Sequence, residues 1–342
     1  MGVDIRRVGF RDGTDAELAA LHAVESPIEA ERRPHRVPQP VESYIAFARA
    51  LPSQFDDHTW LATSADGTPV ASAACWSNSQ GDPRVMECDV FVRVDRRRQG
   101  IGTRLVRTIA ETTLDEGRSI LTWSTFDAAP AGEPFSLRVG GRAARVSRES
   151  ELRLERVDWS LVSSWREATR ARELGYRLEL IRGPMPAHLC DDAATFHHVM
   201  QTAPRDDLDT GATMITADFV AERDRALLES GRERWTIFVR DPEGRCVGGT
   251  ETTYEPWEPS RIQQENTGIE PAHRGLGLAK WVKAEMLDLL RRERPTVQRI
   301  VTGNAFSNAP MLAINDALGF EVISVRTEWQ CDAHSVRAAL AG

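Results

Sequence analysis

The chain has 342 residues, 41% of them hydrophobic and 27% charged, with a formal net charge of −8. That is too long for one ordinary domain and suits two of about 170 residues, each with its own apolar core. The acidic balance disfavours nucleic acid as a partner. No run of roughly 18 apolar residues offers a membrane span, and the opening MGVDIRRVGFRDG lacks the apolar stretch of a signal peptide.

The predicted elements begin with a strand at VDIRRVGF and a helix at TDAELAALHAVE, where Thr14 and Glu17 have capping-box spacing. A second helix follows at VESYIAFARAL. Three extended segments, TWLATSA, PVASAACWS and RVMECDVFVRV, are divided by turn signals at Asp66-Gly67 and Gly81-Asp82-Pro83. A Gly-rich loop then opens a helix, TRLVRTIAETTLDEG, with helical apolar spacing. SILTWST and SELRLERV read as strands.

The second half repeats this order. YRLELI is a strand, HLCDDAATFHHVMQ and TADFVAERDRALLESG are helices, and WTIFVRD, CVGGTETTY and RIQQENTGIE are strands. Another Gly-rich loop and the helix LAKWVKAEMLDLLRRE follow, then RIVTGNA, the short helix APMLAINDALG, and strands FEVISV and RTEWQC. The expected organisation is a first domain over 1–156, a linking helix over 157–174 and a second domain over 175–342.

Cys75, Cys88, Cys190, Cys246 and Cys331 are odd in number and contain no C-x-x-C. They point to reduced thiols in a cytoplasm rather than a disulfide framework or a zinc site. His197 and His198 lack partners at metal spacing, so no metal is expected.

The two loops carry the clearest signal. RVDRRRQGIGTRLV runs from Arg93 to Val106 and EPAHRGLGLAKWVK from Glu270 to Lys283. Each follows a strand and opens a helix, where free N–H groups bind phosphate and glycine permits close approach. Neither has the Lys-Ser/Thr of a Walker loop. A dinucleotide fingerprint would need Gly or Ala where Leu105 and Lys280 stand.

The loops resemble the Arg/Gln-x-x-Gly-x-Gly/Ala motif of the GCN5-related N-acetyltransferase superfamily, as a tandem pair of the actinobacterial, mycothiol synthase-like type. The first copy supplies Arg97, Gly100 and Gly102; the second is read as Gly275 and Gly277 with Ala272 in place of the Arg or Gln. NAPMLAINDALGF, from Asn308 to Phe320, resembles the family's late motif, which the first half keeps only as Gly140-Gly141. The resemblance implies a duplicated mixed α/β fold, each copy a mostly antiparallel sheet flanked by helices with a V-shaped cleft.

It also implies acetyl-CoA as co-substrate and acetyl transfer to a primary amine of a small molecule. The phosphates would lie on the amides around Arg97, Arg98, Gln99, Gly100, Ile101, Gly102 and Thr103, or around His273, Arg274, Gly275, Leu276, Gly277 and Leu278. Ile269 and its neighbours from Thr267 would polarise the thioester through backbone N–H groups, and Asn308 would touch the CoA arm.

Candidate bases are Glu265, Glu251 and, in the first half, Glu87. The family's usual thiolate acid is a Tyr, replaced here by Asn315, which leaves water or Tyr254 as the acid and Asn315 as a ligand-bonding candidate. Trp257 and the cluster Glu251, Glu255 and Glu258 are candidates for an ammonium-attracting mouth. The second half is expected to carry the chemistry. Other classes consistent with the pattern are a non-catalytic acyl-CoA sensor and an aminoacyl-tRNA-dependent peptidyl transferase.

Overall fold

Alternation and helical spacing resolve into twelve strands and eleven helices among residues 2–340, the residues that the computed structural model describes. In chain order these are β1 (Asp4–Val8), α1 (Asp15–Arg32), α2 (Val41–Arg49), β2 (Phe55–Thr63), β3 (Pro69–Asn78), β4 (Val85–Val92), α3 (Ile101–Asp115), β5 (Ile120–Phe126), α4 (Gly132–Arg138) and β6 (Arg142–Arg153). Then come α5 (Trp159–Glu167), α6 (Thr169–Glu173), β7 (Arg177–Arg182), α7 (Cys190–Met200), α8 (Ala217–Glu229), β8 (Glu233–Arg240), β9 (Cys246–Tyr254) and β10 (Arg261–Ile269). The last are α9 (Leu278–Glu293), β11 (Arg299–Ala305), α10 (Ala309–Leu318), β12 (Glu321–Asp332) and α11 (Ala333–Ala339). No helix among the described residues is long and apolar enough to cross a membrane.

Two units form, and neither is contiguous in sequence. The first takes residues up to 147, 205–213 and those from 324; the second takes 148–204 and 214–323. The sheet of the first unit runs β1-β2-β3-β4-β5-β12, and that of the second runs β7-β8-β9-β10-β11-β6. Each sheet therefore ends on a strand from the opposite half of the sequence. Arg326–Asp332 of β12 pairs antiparallel with Phe126–Ile120 of β5. The later part of β6 borders β11, where Glu151 meets Arg299 (3.3 Å).

The stretch expected to be one linking helix is two. Ala168 adopts a left-handed φ of 42° between α5 and α6, which breaks the helical ladder. Both helices belong to the second unit, where Val162 and Ala171 join its core beside Trp281 and Val282 of α9. The expected strands FEVISV and RTEWQC are one strand, β12.

Helix α1 starts as its sequence predicts. Glu17 N donates to Thr14 Oγ1 (3.3 Å), and Thr14 N donates to Glu17 Oε2 (2.9 Å). Leu18, Leu21, Val24 and Ile28 form its buried stripe, in one cluster with Leu61 and Phe91. Burying each such side chain contributes about 1.5–3 kcal/mol. The other sheet face carries Ala71, Ala73 and Cys75 against Ile101, Leu105 and Ile109 of α3. In the second unit α9 takes that place, with Leu278, Val282 and Met286 buried.

Candidate functional site

The site begins where two parallel strands part. β4 and β5 pair only over Val85–Glu87 and Ile120–Thr122, although β4 continues to Val92 and β5 to Phe126. β10 and β11 likewise pair over Arg261–Gln264 and Arg299–Thr302 before β10 runs on to Ile269. Past each fork the facing backbone groups of the two strands have no ladder partner in each other, so a ligand placed there can pair with them.

A cavity of about 680 Å³ occupies the fork of the first unit. Its walls are Cys88, Val90 and Val92 of β4, Trp123 and Ser124 of β5, Val106 of α3 and Phe135 and Ser136 of α4. Arg97, Arg98, Gly100, Ile101, Gly102 and Thr103 line it at the loop. Helix α3 is N-capped by Gly100 without a side-chain cap, and Arg104 N is bonded to Gly100 O (3.1 Å). The amides of Ile101, Gly102 and Thr103 precede that first helical bond, and they carry the positive end of the helix dipole.

The second loop is a closer copy of the first than its glycines suggest. Arg97 Nε donates to Val92 O (3.1 Å), and Arg274 Nε donates to Ile269 O (2.9 Å). Gly100 (φ 80°) caps α3 and Gly277 (φ 79°) caps α9. Arg98 (φ 64°) and Gly275 (φ 81°) share the other left-handed position. Arg274 thus matches Arg97, Gly277 matches Gly100 and Ala279 matches Gly102. This corrects the reading that aligned Ala272 and Gly275 with Arg97 and Gly100. The second loop holds a complete Arg-x-x-Gly-x-Ala, at an offset of 177 residues. The buried positions of the two helices agree: Ile101, Leu105 and Ile109 answer to Leu278, Val282 and Met286.

Neither arginine is free to wrap a phosphate. Arg97 also holds Glu31 of α1 (2.8 Å from NH1), and Arg274 donates to Thr202 Oγ1 (2.7 Å). Both brace the loop. His273 hydrogen-bonds with the Tyr176 hydroxyl through Nδ1 (2.7 Å). Asn308 caps α10 by accepting from Met311 N (3.4 Å), so its side chain serves the helix.

The candidate bases separate by environment. Glu251 is buried between His197 (3.1 Å) and Arg223 (3.3 Å). Burial alone would raise its pKa, but the charges of His197, Arg234 and Arg223 outweigh it and hold the carboxylate well below its usual range. It is a fixed anion and a poor proton acceptor. Glu265 is exposed on β10 at the bulge between Gln264 and Thr267.

Tyr254 pairs with Ile262, seven residues back along β10 from Ile269. Ile262 in turn lies two residues before Gln264, the last β10 residue paired with β11. Glu255 and Glu258 are buried with Arg261 and Arg299, and Trp257 lies under Arg232 (5.0 Å), so they form an ion-paired corner rather than an open acidic mouth.

Glu87 stands in the last β4/β5 pair, opposite Thr122, at the point where the strands separate. Loss of hydration beside the protein, then the Glu328 charge, raise its pKa. Sequence reading missed Glu25 of α1. It accepts from Tyr44 (2.8 Å) and Ser72 (3.0 Å), and burial raises it to about 7. Neither an acidic motif nor its spacing marks it, because its character comes from packing against β3.

Comparison with known proteins follows the geometry. The family described as Acetyltransferase (GNAT) family matches residues 24–135. No curated protein sequence matches the chain. A tandem GNAT protein from the clavulanic acid biosynthesis pathway superposes with TM-score 0.78 at 22% identity, over 97% of this chain and 99% of that one. A GCN5-related N-acetyltransferase from Sphaerobacter thermophilus gives 0.64 at 15% identity, over 96% of both chains. One from Kribbella flavida gives 0.53 at 16%, over 96% of this chain and 71% of that one.

Proposed function

We propose that this chain, whose residues 24–135 match the acetyltransferase (GNAT) family and whose fold superposes on a tandem GNAT protein, is an acyl-CoA-dependent N-acyltransferase, moving an acetyl group to a primary amine of a small molecule. The observation that carries this reading is the first unit's cavity, which runs along the open edge of β4 to the free amides of α3. It favours the first unit for the reaction, where sequence reading had favoured the second.

In this reading the α3 amides receive the pyrophosphate, aided by Arg98 at the rim. Backbone N–H groups of β4 beyond the fork bond the thioester carbonyl and stabilise the charge that develops on it. Glu87, with its raised pKa, takes the proton from the attacking amine directly or through water. The N–C bond forms, the C–S bond breaks, and CoA leaves as a thiolate that solvent protonates. Net acidity and a cytoplasmic setting suit a cationic metabolite as acceptor.

The test is release of free CoA thiol from acetyl-CoA with a panel of amines. Turnover with at least one amine, lost in Gly100→Trp, supports the proposal. Acetyl-CoA bound but left intact by every amine would make the protein a sensor instead.

A further inference from the structure

Cys75 of β3 and Cys88 of β4 stand directly opposite each other in an antiparallel ladder, so their side chains leave the same face of the sheet. Arg93 N donates to Val70 O (3.0 Å), which makes Val70–Arg93 a hydrogen-bonded pair of that ladder. Such pairs alternate with open ones. Cys75–Cys88 is an odd number of pairs away and is therefore open, the type whose Cα atoms lie about 4.5 Å apart. A disulfide needs a Cα separation of roughly 4.4–6.8 Å, so this pair can be bridged with little backbone movement.

These two thiols differ from the other three. Cys190, Cys246 and Cys331 each donate to a backbone carbonyl, at Pro186, Gly248 and Gly140. Cys75 and Cys88 make no hydrogen bond among the described residues. Cys75 is buried in the apolar cluster with Ile101, Leu105 and Ile109, whereas Cys88 is half-buried and lines the first unit's cavity. A small reagent entering that cavity meets Cys88 first and finds Cys75 behind it. Cys331 is no rival partner: it lies on β12, beyond β5, two strand spacings or roughly 9.6 Å from β4.

We infer that Cys75 and Cys88 are a redox modification site, closed to a reversible disulfide by a hydroperoxide that reaches Cys88 through the cavity, and that the bridge regulates the first unit's fork. The Cys88 thiolate attacks a peroxide oxygen and the O–O bond breaks. Cys88 is left as a sulfenic acid, and the departing hydroxide takes up the thiol proton. The Cys75 thiolate then attacks the Cys88 sulfur, the S–S bond forms, and the sulfenic oxygen leaves as hydroxide to become water with the second proton. Two thiols are oxidised and one peroxide is reduced. Burial pushes Cys75 up to about 12 and Cys88 well above its ordinary value, so thiolates are scarce and closure is slow. Cys88 directly follows Glu87, where β4 leaves β5. Closure therefore ties the start of the open β4 edge to β3 and withdraws a thiol from the cavity wall. The effect on turnover rests on the proposed function; the bridge itself does not.

The experiment treats the reduced full chain with hydrogen peroxide, alkylates remaining thiols in denaturant, and maps unreduced peptides by mass. One linked pair, joining Cys75 to Cys88, should form and reopen in dithiothreitol, with the other three cysteines alkylated. Turnover should fall at least fivefold with bridging and return on reduction, and saturating acetyl-CoA should slow bridging by a similar factor. Cys75→Ala, a change outside the cavity wall, should form no bridge and leave Cys88 as a sulfenic acid trapped by dimedone. Its reduced form should turn over as the wild type does. Wild-type Cys88 oxidised while Cys75 stays alkylatable, or both thiols intact in peroxide, overturns the bridge. A bridge that leaves turnover unchanged overturns the regulation. The mass map needs no turnover, so failure of the bridge and failure of the proposed function are read separately.

Discussion

Arg97 and Arg274, 177 positions apart, make the same bond: each Nε donates to the carbonyl five residues upstream, at Val92 and Ile269. That bond ties the end of a splayed strand to the loop that follows it. Arg97→Ala should therefore cost about 1–2 kcal/mol of stability, from one charge-assisted bond and a partly exposed ion pair with Glu31. It should also weaken acetyl-CoA binding by loosening the amides it positions. Thermal melts and calorimetry of the variant check both; unchanged affinity would show that the loop holds its shape without the arginine.

Arg98 occupies a left-handed conformation that its counterpart Gly275 adopts without cost. Relief of that strain is on the order of 1 kcal/mol, so Arg98→Gly should raise the melting temperature while lowering acetyl-CoA affinity through loss of a rim charge. A variant that binds more tightly would remove Arg98 from the phosphate site.

Glu87→Gln should lower kcat about 100-fold at neutral pH with little change in acetyl-CoA affinity. Because its pKa is raised, the wild-type rate should fall on the acid side at a pH above the usual carboxylate range. That limb should vanish in the variant. A pH–rate profile for kcat/KM measures it, and an unchanged acid limb would pass the role to Glu25.

Glu251→Gln tests the opposite assignment. Its folded pKa is depressed, so its contribution to stability is present above the unfolded carboxylate pKa and lost as pH falls through the folded value. Removing it strands Arg223 and should cost about 3 kcal/mol at pH 7, measured by denaturant unfolding. Its effect on first-unit turnover should be small.

Lys283 is the opposite case in charge: its buried ammonium destabilises the fold, whereas the paired Glu251 carboxylate stabilises it. Its folded pKa is about 8 against an ordinary 10.5, so the folded state binds fewer protons and stability rises as pH climbs between those values. Lys283→Met should gain about 3 kcal/mol at pH 7, an advantage that fades near pH 10. Equal melting at pH 7 would mean that the ammonium is solvated.

Much of this fold was legible because helix caps, Gly loops and alternating strands are local signals. Thr14 and Glu17 announced α1, and the order of elements around each loop announced the repeat. The register of the second loop was misread because a Gly-x-Gly spacing hides two different demands. Gly100 needs a left-handed φ and Gly102 needs to lie close to Phe135, whereas Gly275 and Gly277 both need the left-handed φ. Arg274, three residues before Gly277, was the better anchor. Glu251 looked like a base until its distant partners on α7 and α8 came into contact with it. Such burial depends on residues far apart in sequence, which local patterns do not encode.

The shared closing strands also bear on how the protein is made. β5 is translated about 200 residues before Arg326, which pairs with its Phe126. Until Arg326–Asp332 leaves the ribosome, the first unit has an uncovered sheet edge, a template for pairing with other chains. A nascent chain stalled near Ile323 would hold an unfinished first unit however long it waited, and separate expression of the two halves would leave each sheet without its last strand. The first unit cannot close until β12 has been made, however early its other strands emerged.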